Sequence, residues 1–153
     1  MCQPRRQGRG AQPHLDSRDI IKMIEVFEKK EENAMEITQG VDFGSFGLSE
    51  ATLRAIRNKG YTVSTPVQAG CIPPMMAGRD VIAKAPTGTG KTMAFGIPII
   101  EKIDPDSEEV QAVIMAPTRE LAMQITDEMR DIAVYHEGVR LVCLYGGQPI
   151  GKQ

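Results

Sequence analysis

The sequence predicts an α/β fold in which helices cover both faces of a parallel sheet. Three short segments, 80–84, 110–116 and 139–145, are predicted strands, and 110–116 is a continuous apolar run of buried-strand type. Helical patterns separate them, over about 92–103 and about 119–134. Strands that alternate with helices of this length form right-handed crossovers, which set the strands parallel. We therefore expect the loops that follow the three strands to share one edge of the sheet, where ligands bind in such folds.

The composition is that of one globular domain, with 41% hydrophobic and 25% charged residues. The formal net charge of −2 makes no global case for a nucleic-acid partner, so any RNA or DNA site must be local. Cys2, Cys71 and Cys143 are odd in number and widely spaced, which argues against a disulfide framework and against a zinc site. No apolar run is long enough to span a membrane. We expect a cytoplasmic protein without membrane contact.

The first 40 residues divide into two parts that precede the globular domain, 41–153. Residues 1–18 hold four arginines among Gly, Gln and Pro, which predicts a flexible, disordered basic tail. The tail is either an arm that touches phosphates or an extension without a role, and Met35 is an alternative start. Residues 19–40 open with apolar side chains at helical spacing, which predicts a peripheral amphipathic helix followed by a linker.

Two short helices are predicted before the first strand. Ser49 caps a helix through about Lys59, and Gly60 ends it in a left-handed turn. The pair 65–66, Thr-Pro, repeats a helix-start signal. We expect this second helix to run toward Ile72 and to stop at the two prolines that come next.

The loop after the first predicted strand has the sequence APTGTGKT, residues 85–92, which is a P-loop with Ala in place of the usual first Gly. Gly88 and Gly90 let the backbone N–H groups turn inward around phosphate oxygens, and the following helix adds the positive end of its dipole. Lys91 supplies a mobile charge for the β- and γ-phosphates, and the Thr92 hydroxyl is a ligand for the accompanying Mg²⁺. We therefore assign Lys91 and Thr92 to the chemistry of the site.

All eight loop residues are expected to contact the nucleotide: Ala85, Pro86, Thr87, Gly88, Thr89, Gly90, Lys91 and Thr92. The predicted strand before the loop and the predicted helix after it are the context that this motif requires.

The segment 60–68, Gly-Tyr-Thr-Val-Ser-Thr-Pro-Val-Gln, resembles the Q motif of the DEAD-box RNA helicases, an aromatic followed by PTP(I/V)Q. Ser64 replaces the first proline of that form. The isolated aromatic that the family places seventeen residues before the motif's glycine is matched by Phe43. A glutamine amide both donates and accepts, so Gln68 can pair with the amine and ring nitrogen of adenine but not with guanine.

The resemblance implies further roles in holding the base. Tyr61 would stack on adenine, Phe43 would support that ring, and Thr65 would contact the nucleotide side of the loop. The alternatives from the residues themselves are core packing for the two aromatics and a helix cap for Thr65.

Two later segments also match the family. Residues 117–122, Pro-Thr-Arg-Glu-Leu-Ala, resemble its motif Ia, and the pair 146–147 resembles its GG motif. A hydroxyl, a guanidinium and glycine N–H groups at one edge can hold phosphates without reading bases. The resemblance implies that the RNA backbone contacts Pro117, Thr118, Arg119, Gly146 and Gly147. The alternatives are an ion pair between Arg119 and Glu120 and ordinary strand-ending turns.

Taken together, these motifs predict the N-terminal part of a RecA-like ATP-binding domain from an ATP-dependent RNA helicase, with ATP, Mg²⁺ and RNA as ligands. The sequence contains no DEAD or related acidic tetrapeptide, no SAT motif and no second helicase lobe. Without those carboxylates no group positions the attacking water, so we expect this chain to bind ATP without hydrolysing it efficiently. The alternatives are another P-loop NTPase, such as a nucleotide kinase or a DNA helicase, and a non-catalytic module that binds nucleotide or RNA.

Overall fold

A computed structural model describes residues 39–147, 149 and 151 of the chain. The described residues belong to one compact unit, Ile37–Gln153. The tail predicted for residues 1–18 and the amphipathic helix predicted to open 19–40 lie outside the described residues.

Four α-helices and one 3₁₀ turn are the named elements of residues 39–147. The turn is Phe43–Phe46, and the helices are α1 (Glu50–Asn58), α2 (Pro66–Met76), α3 (Lys91–Lys102) and α4 (Arg119–Ala133). Helix α3 packs against both α2 and α4, and α1 packs against α4. None of these helices has the combination of length and apolar character that a bilayer crossing requires.

Three of the helices start where the sequence predicts, and each has a side-chain cap there. The hydroxyls of Ser49, Thr65 and Thr118 accept from the backbone N–H three residues on, at 3.3, 3.4 and 3.2 Å. Gly60 ends the turn after α1 at φ 81°, a conformation that favours glycine. The predicted positions of all four helices are confirmed to within a few residues.

The prediction that prolines stop α2 near Ile72 is wrong, because the helix continues through Pro73 and Pro74 to Met76. A proline removes a donor but keeps its carbonyl as an acceptor. The two carbonyls accept from Ala77 N–H at 3.0 Å and Arg79 N–H at 2.9 Å, which closes the last turn.

The parallel sheet predicted from the sequence is not confirmed. Segments 80–84, 110–116 and 139–145 form no ladder with one another, and residues 39–147 contain no strand. A strand is stable only when its N–H and C=O groups pair with a neighbour, and these segments find no such partner in the described part of the chain.

Apolar side chains along these unpaired segments remain in contact with solvent. Val110 is 83% exposed and Met115 is 91% exposed, which is unusual for residues of a predicted buried strand. Between segments 110–116 and 139–144 and the helices α3 and α4 lies a largely apolar cleft of about 440 Å³.

The core lies between the helices, and aliphatic side chains fill it. Its fully buried members include Ile56, Ile72, Ile97, Ile100, Met129 and Ile132. Gly96 allows α3 to approach α4 closely, because a Cβ there would lie 2.6 Å from Met129 Sδ. Packing around α3 therefore organises the unit.

A polar network ties α1, α3 and the end of α4 together around Glu101. Its carboxylate accepts from the hydroxyls of Thr52 and Ser49, the latter at 2.6 Å, and from Ser49 N–H at 3.2 Å. Since the single hydroxyl proton of Thr52 points to Glu101, the 2.8 Å contact of Thr52 with His136 requires the Nε2–H of His136 to donate. Thr52 is fully buried, so it can exchange neither partner for water.

We predict that Thr52→Val lowers the free energy of unfolding by about 1–3 kcal/mol, because it removes the hydrogen bonds of a buried hydroxyl to Glu101 and His136 while keeping the shape of the side chain. Urea denaturation followed by circular dichroism measures the change. Thr126→Val is the matched control, because among the described residues the Thr126 hydroxyl donates to the Ala122 carbonyl of its own helix alone, at 2.8 Å. Equal losses in the two variants would contradict the role assigned to the network.

Candidate functional site

The glycine loop leads directly into α3 and leaves the start of that helix uncapped. Gly88 and Gly90 have φ of 78° and 84°, and Gly90 is the residue before the helix. No side chain accepts from the first N–H groups of α3, whereas α1, α2 and α4 each have a side-chain cap. Free N–H groups at the positive end of a helix favour an anion.

The Lys91 ammonium folds back over the loop. Its Nζ donates to the carbonyl oxygens of Ala85 and Pro86, at 2.6 Å each. The Thr89 hydroxyl also donates to the Pro86 carbonyl, at 2.9 Å. The ammonium predicted to bind phosphates therefore lies at the loop, where it is hydrogen-bonded to two backbone carbonyl oxygens.

Gln68 joins the predicted base-reading segment to the loop. Its Oε1 accepts from Thr65 N–H at 2.8 Å, which completes a capping box at the start of α2, and its Nε2 donates to the Gly90 carbonyl at 3.1 Å. The residue is 4% exposed. An amide has two N–H donors and two oxygen lone pairs, so one donor and one acceptor remain after these bonds.

Burial of Cys71, one turn after Gln68 on α2, raises the pKa of its thiol. A raised pKa keeps the thiol protonated and uncharged at neutral pH. Cys71 therefore contributes packing rather than charge behind the loop.

The two aromatics of the predicted base site have opposite environments. Phe43 is 3% exposed and packs edge-on against Phe46 in the core, with ring centroids 5.9 Å apart. Tyr61 is 48% exposed. Phe43 N–H donates to the Thr62 carbonyl at 3.3 Å, so the buried ring anchors the segment that carries Tyr61. Phe43 is therefore part of the core, and the ring of Tyr61 is open to solvent on one side.

Ser64, which departs from the usual Q-motif form, holds the segment in place. Its N–H and its hydroxyl both donate to the Val41 carbonyl, at 2.8 Å each, and its oxygen accepts from Val41 N–H at 2.9 Å. A proline at this position lacks the N–H and the hydroxyl. The sequence carries the signal, a hydroxyl in place of an expected proline, but its partner is visible only in the structure.

At the start of α4, the guanidinium Cζ of Arg119 lies 4.5 Å from the ring centroid of Tyr145, the residue before Gly146. The structure therefore brings the segments 117–119 and 145–147 together. The predicted RNA-binding residues are all exposed: Pro117, Thr118, Arg119, Gly146 and Gly147. No ion pair joins Arg119 to Glu120. Sequence reasoning missed Tyr145, whose signal was an aromatic directly before the glycine pair.

The predicted site residues thus form two groups. One joins Gln68 and Thr65 to the loop 85–92, and the other joins Arg119 to the turn at 146–147. That both groups lie at one edge of a common sheet remains a prediction. Within residues 39–147 no three His, Cys, Asp or Glu side chains are grouped so as to hold a metal ion.

Comparison with known proteins decides the family. The family model for the DEAD/DEAH box helicases matches residues 65–153. The chain belongs to the DEAD/DEAH box helicase family. The match includes Gln68, the P-loop sequence and the segment from Pro117 to Gly147.

The chain is also similar to bacterial DEAD-box proteins described as ATP-dependent RNA helicases. It is 48% identical over 113 residues to CshA of Bacillus licheniformis and 46% identical over 113 residues to CshA of Bacillus subtilis. Each alignment covers 74% of this chain and 23% of the relative. The chain therefore spans about a quarter of the length of these curated relatives.

Solved structures of the family resemble the described fold. A DEAD box protein from Methanococcus jannaschii is 36% identical with a TM-score of 0.65, over 74% of this chain and 31% of that one. S. cerevisiae Dbp5, bound to RNA and ADP BeF3, is 28% identical with a TM-score of 0.61, over 63% of this chain and 25% of that one. The similarity supports the α/β class even though the described residues contain no strand.

We predict that Gly90→Ala destabilises the chain more than Gly88→Ala. Both glycines have positive φ, so alanine strains the backbone by about 1–2 kcal/mol at either position. A Cβ at Gly90 would overlap Gln68 Nε2, whereas a Cβ at Gly88 has nothing within 4 Å. Thermal unfolding of the two variants measures the difference. Identical midpoints would contradict the close contact between Gln68 and the loop.

Proposed function

We propose that this chain binds ATP with Mg²⁺ at residues 85–92 and the RNA backbone at 117–119 and 146–147. In this proposal it is the ATP- and RNA-binding part of an ATP-dependent RNA helicase that acts in the cytoplasm. The observation that carries the proposal is the uncapped start of α3 directly after a glycine loop. Gln68, whose amide can pair with adenine, is hydrogen-bonded to the last glycine of that loop. Because the chain spans about a quarter of its curated relatives, helicase activity is proposed for the whole protein.

The loop fits a triphosphate sterically and electrostatically. The space beside Gly88 is open, since a Cβ built there meets no atom within 4 Å. The N–H groups at the start of α3 have no side-chain acceptor, and phosphate oxygens are suitable acceptors for them. Phosphate oxygens would also replace the neutral carbonyls of Ala85 and Pro86 as partners of the Lys91 ammonium, because a charged acceptor is the stronger one.

Base selection falls to Gln68 and Tyr61. The remaining donor and acceptor of the Gln68 amide match the amine and ring nitrogen of adenine, while guanine presents an acceptor in place of that amine. The exposed face of Tyr61 can stack on the base. Phe43 supports this arrangement from the core through its backbone bond to Thr62.

Thr92 is the Mg²⁺ ligand that we propose from this chain. It is half-buried in the first turn of α3, directly after Lys91. Bound Mg²⁺ neutralises charge on the β- and γ-phosphates. Phosphate oxygens and water would supply further ligands of the ion.

Sequence-independent RNA binding is proposed for the second group of residues. Arg119 offers guanidinium donors, and the exposed turn at Gly146 and Gly147 lets a phosphate approach the backbone. These contacts carry no base information, so the RNA is held by its backbone.

We predict that ATP binds more tightly than GTP and that Gln68→Ala removes this preference, because the variant lacks the amide that discriminates the two bases. Lys91→Ala should weaken both nucleotides together, since the ammonium serves phosphates and not the base. Isothermal titration calorimetry of the two nucleotides in the presence of Mg²⁺ measures both effects. Equal affinities for the wild-type chain, or no binding by a well-folded sample, would refute the assignment of Gln68.

We also predict that this 153-residue chain releases no phosphate from ATP above background, with or without RNA. The physical reason is that no carboxylate in the sequence is placed by a DEAD-type motif to orient the attacking water. A phosphate-release assay on the purified chain tests it. RNA-stimulated turnover that Lys91→Ala abolishes would contradict this prediction and would identify another group as the water-orienting residue.

A further inference from the structure

Beyond the residues assigned so far, we propose that Tyr145 is a positioning residue for RNA-backbone binding. Its ring holds the guanidinium of Arg119 in the orientation that presents N–H donors to a phosphate. The inference rests on the RNA-binding part of the proposed function and extends it to a residue outside the motifs. The ligand that Arg119 would bind is a phosphate of the nucleic-acid backbone.

The first support is the geometry of the contact. Arg119 is the first residue of α4, and Tyr145 belongs to a segment 26 residues later in the chain. The guanidinium carbon lies 4.5 Å from the ring centroid, within the range of a cation–π interaction. The contact therefore fixes the side chain of Arg119 relative to the turn at 146–147, which comes directly after the tyrosine.

The second support is what the contact leaves available. An ion pair with a carboxylate would use the N–H donors of the guanidinium, whereas an aromatic ring contacts its face. No carboxylate of the described residues forms an ion pair with Arg119, and its side chain is exposed. Its charge and its in-plane donors are thus held in place for an anion.

The third support is the space beside the ring. A Cβ built on either Gly146 or Gly147 meets no atom within 4 Å, so the space next to the backbone of this turn is empty. Gly147 has φ of 83°, which favours glycine. An extended phosphate backbone can therefore approach both the turn and the guanidinium.

A comparable contact elsewhere in the chain supplies a matched control. Arg54 lies 4.1 Å above the ring centroid of Tyr135, between α1 and the end of α4. There the tyrosine hydroxyl also accepts from Asn58, and the neighbouring Lys59 pairs with Asp131 at 2.5 Å. This second pair joins α1 to the segment that follows α4.

The test measures binding of a fluorescein-labelled oligouridylate to the full chain by fluorescence anisotropy. Tyr145→Leu should weaken binding by about two- to five-fold, the range expected for loss of an exposed cation–π contact. Tyr145→Phe should bind as the wild type does, because it retains the ring. Tyr135→Leu should also leave binding unchanged, although it removes the other cation–π contact.

A double-mutant cycle separates positioning from general destabilisation. In the Arg119→Ala background, Tyr145→Leu should cause no further loss, since there is no guanidinium left to position. Tyr145→Trp should keep the affinity and, because the chain contains no native tryptophan, should report RNA binding through a change in indole emission. This variant tests the position even if Tyr145→Leu does not fold.

Two results would overturn the inference while leaving RNA binding intact: wild-type affinity in folded Tyr145→Leu, or additive losses in the double variant. A different result, ATP binding without any RNA binding by the wild-type chain, would overturn the RNA-binding part of the proposed function and this inference with it. Circular dichroism and ATP titration establish that each variant is folded.

Discussion

The hydrogen bond from Gln68 Nε2 to the Gly90 carbonyl is the contact on which the candidate site depends. It joins the first turn of α2 to the residue that precedes α3, and α3 in turn packs against α2 and α4. The same glutamine completes the capping box of α2 through Thr65. One side chain therefore sets the position of the predicted base-reading segment relative to the phosphate loop.

The rest of the described structure supports α3 from two directions. On one side, Gly96 lets α4 approach closely enough for Met129 and Ile132 to fill the core. On the other, the Glu101 carboxylate near the end of α3 accepts hydrogen bonds from the hydroxyls of Ser49 and Thr52 at the start of α1. Since α3 begins at the glycine loop, both contacts position the helix end to which we assign the triphosphate.

The helices were predictable because their signals are local. Ser49, Thr65 and Thr118 cap helices through bonds within three residues, and Gly60 ends one by its own backbone freedom. The end of α2 was not predictable. The helix continues through its two prolines because their carbonyls still accept hydrogen bonds and because α2 packs against α3. The sheet was inferred from apolar runs, which report a tendency to be buried but not the partner strand that a sheet requires.

By itself, the sequence determined the family, the position of the predicted phosphate loop and the residue types of the candidate site, because each depends on spacing along the chain. Only the tertiary structure decided which residues meet: Gln68 with Gly90, Ser64 with Val41, and Arg119 with Tyr145. It also decided that Phe43 is buried while Tyr61 is exposed. These outcomes depend on contacts between residues up to 26 positions apart, which helix packing sets and local patterns do not encode.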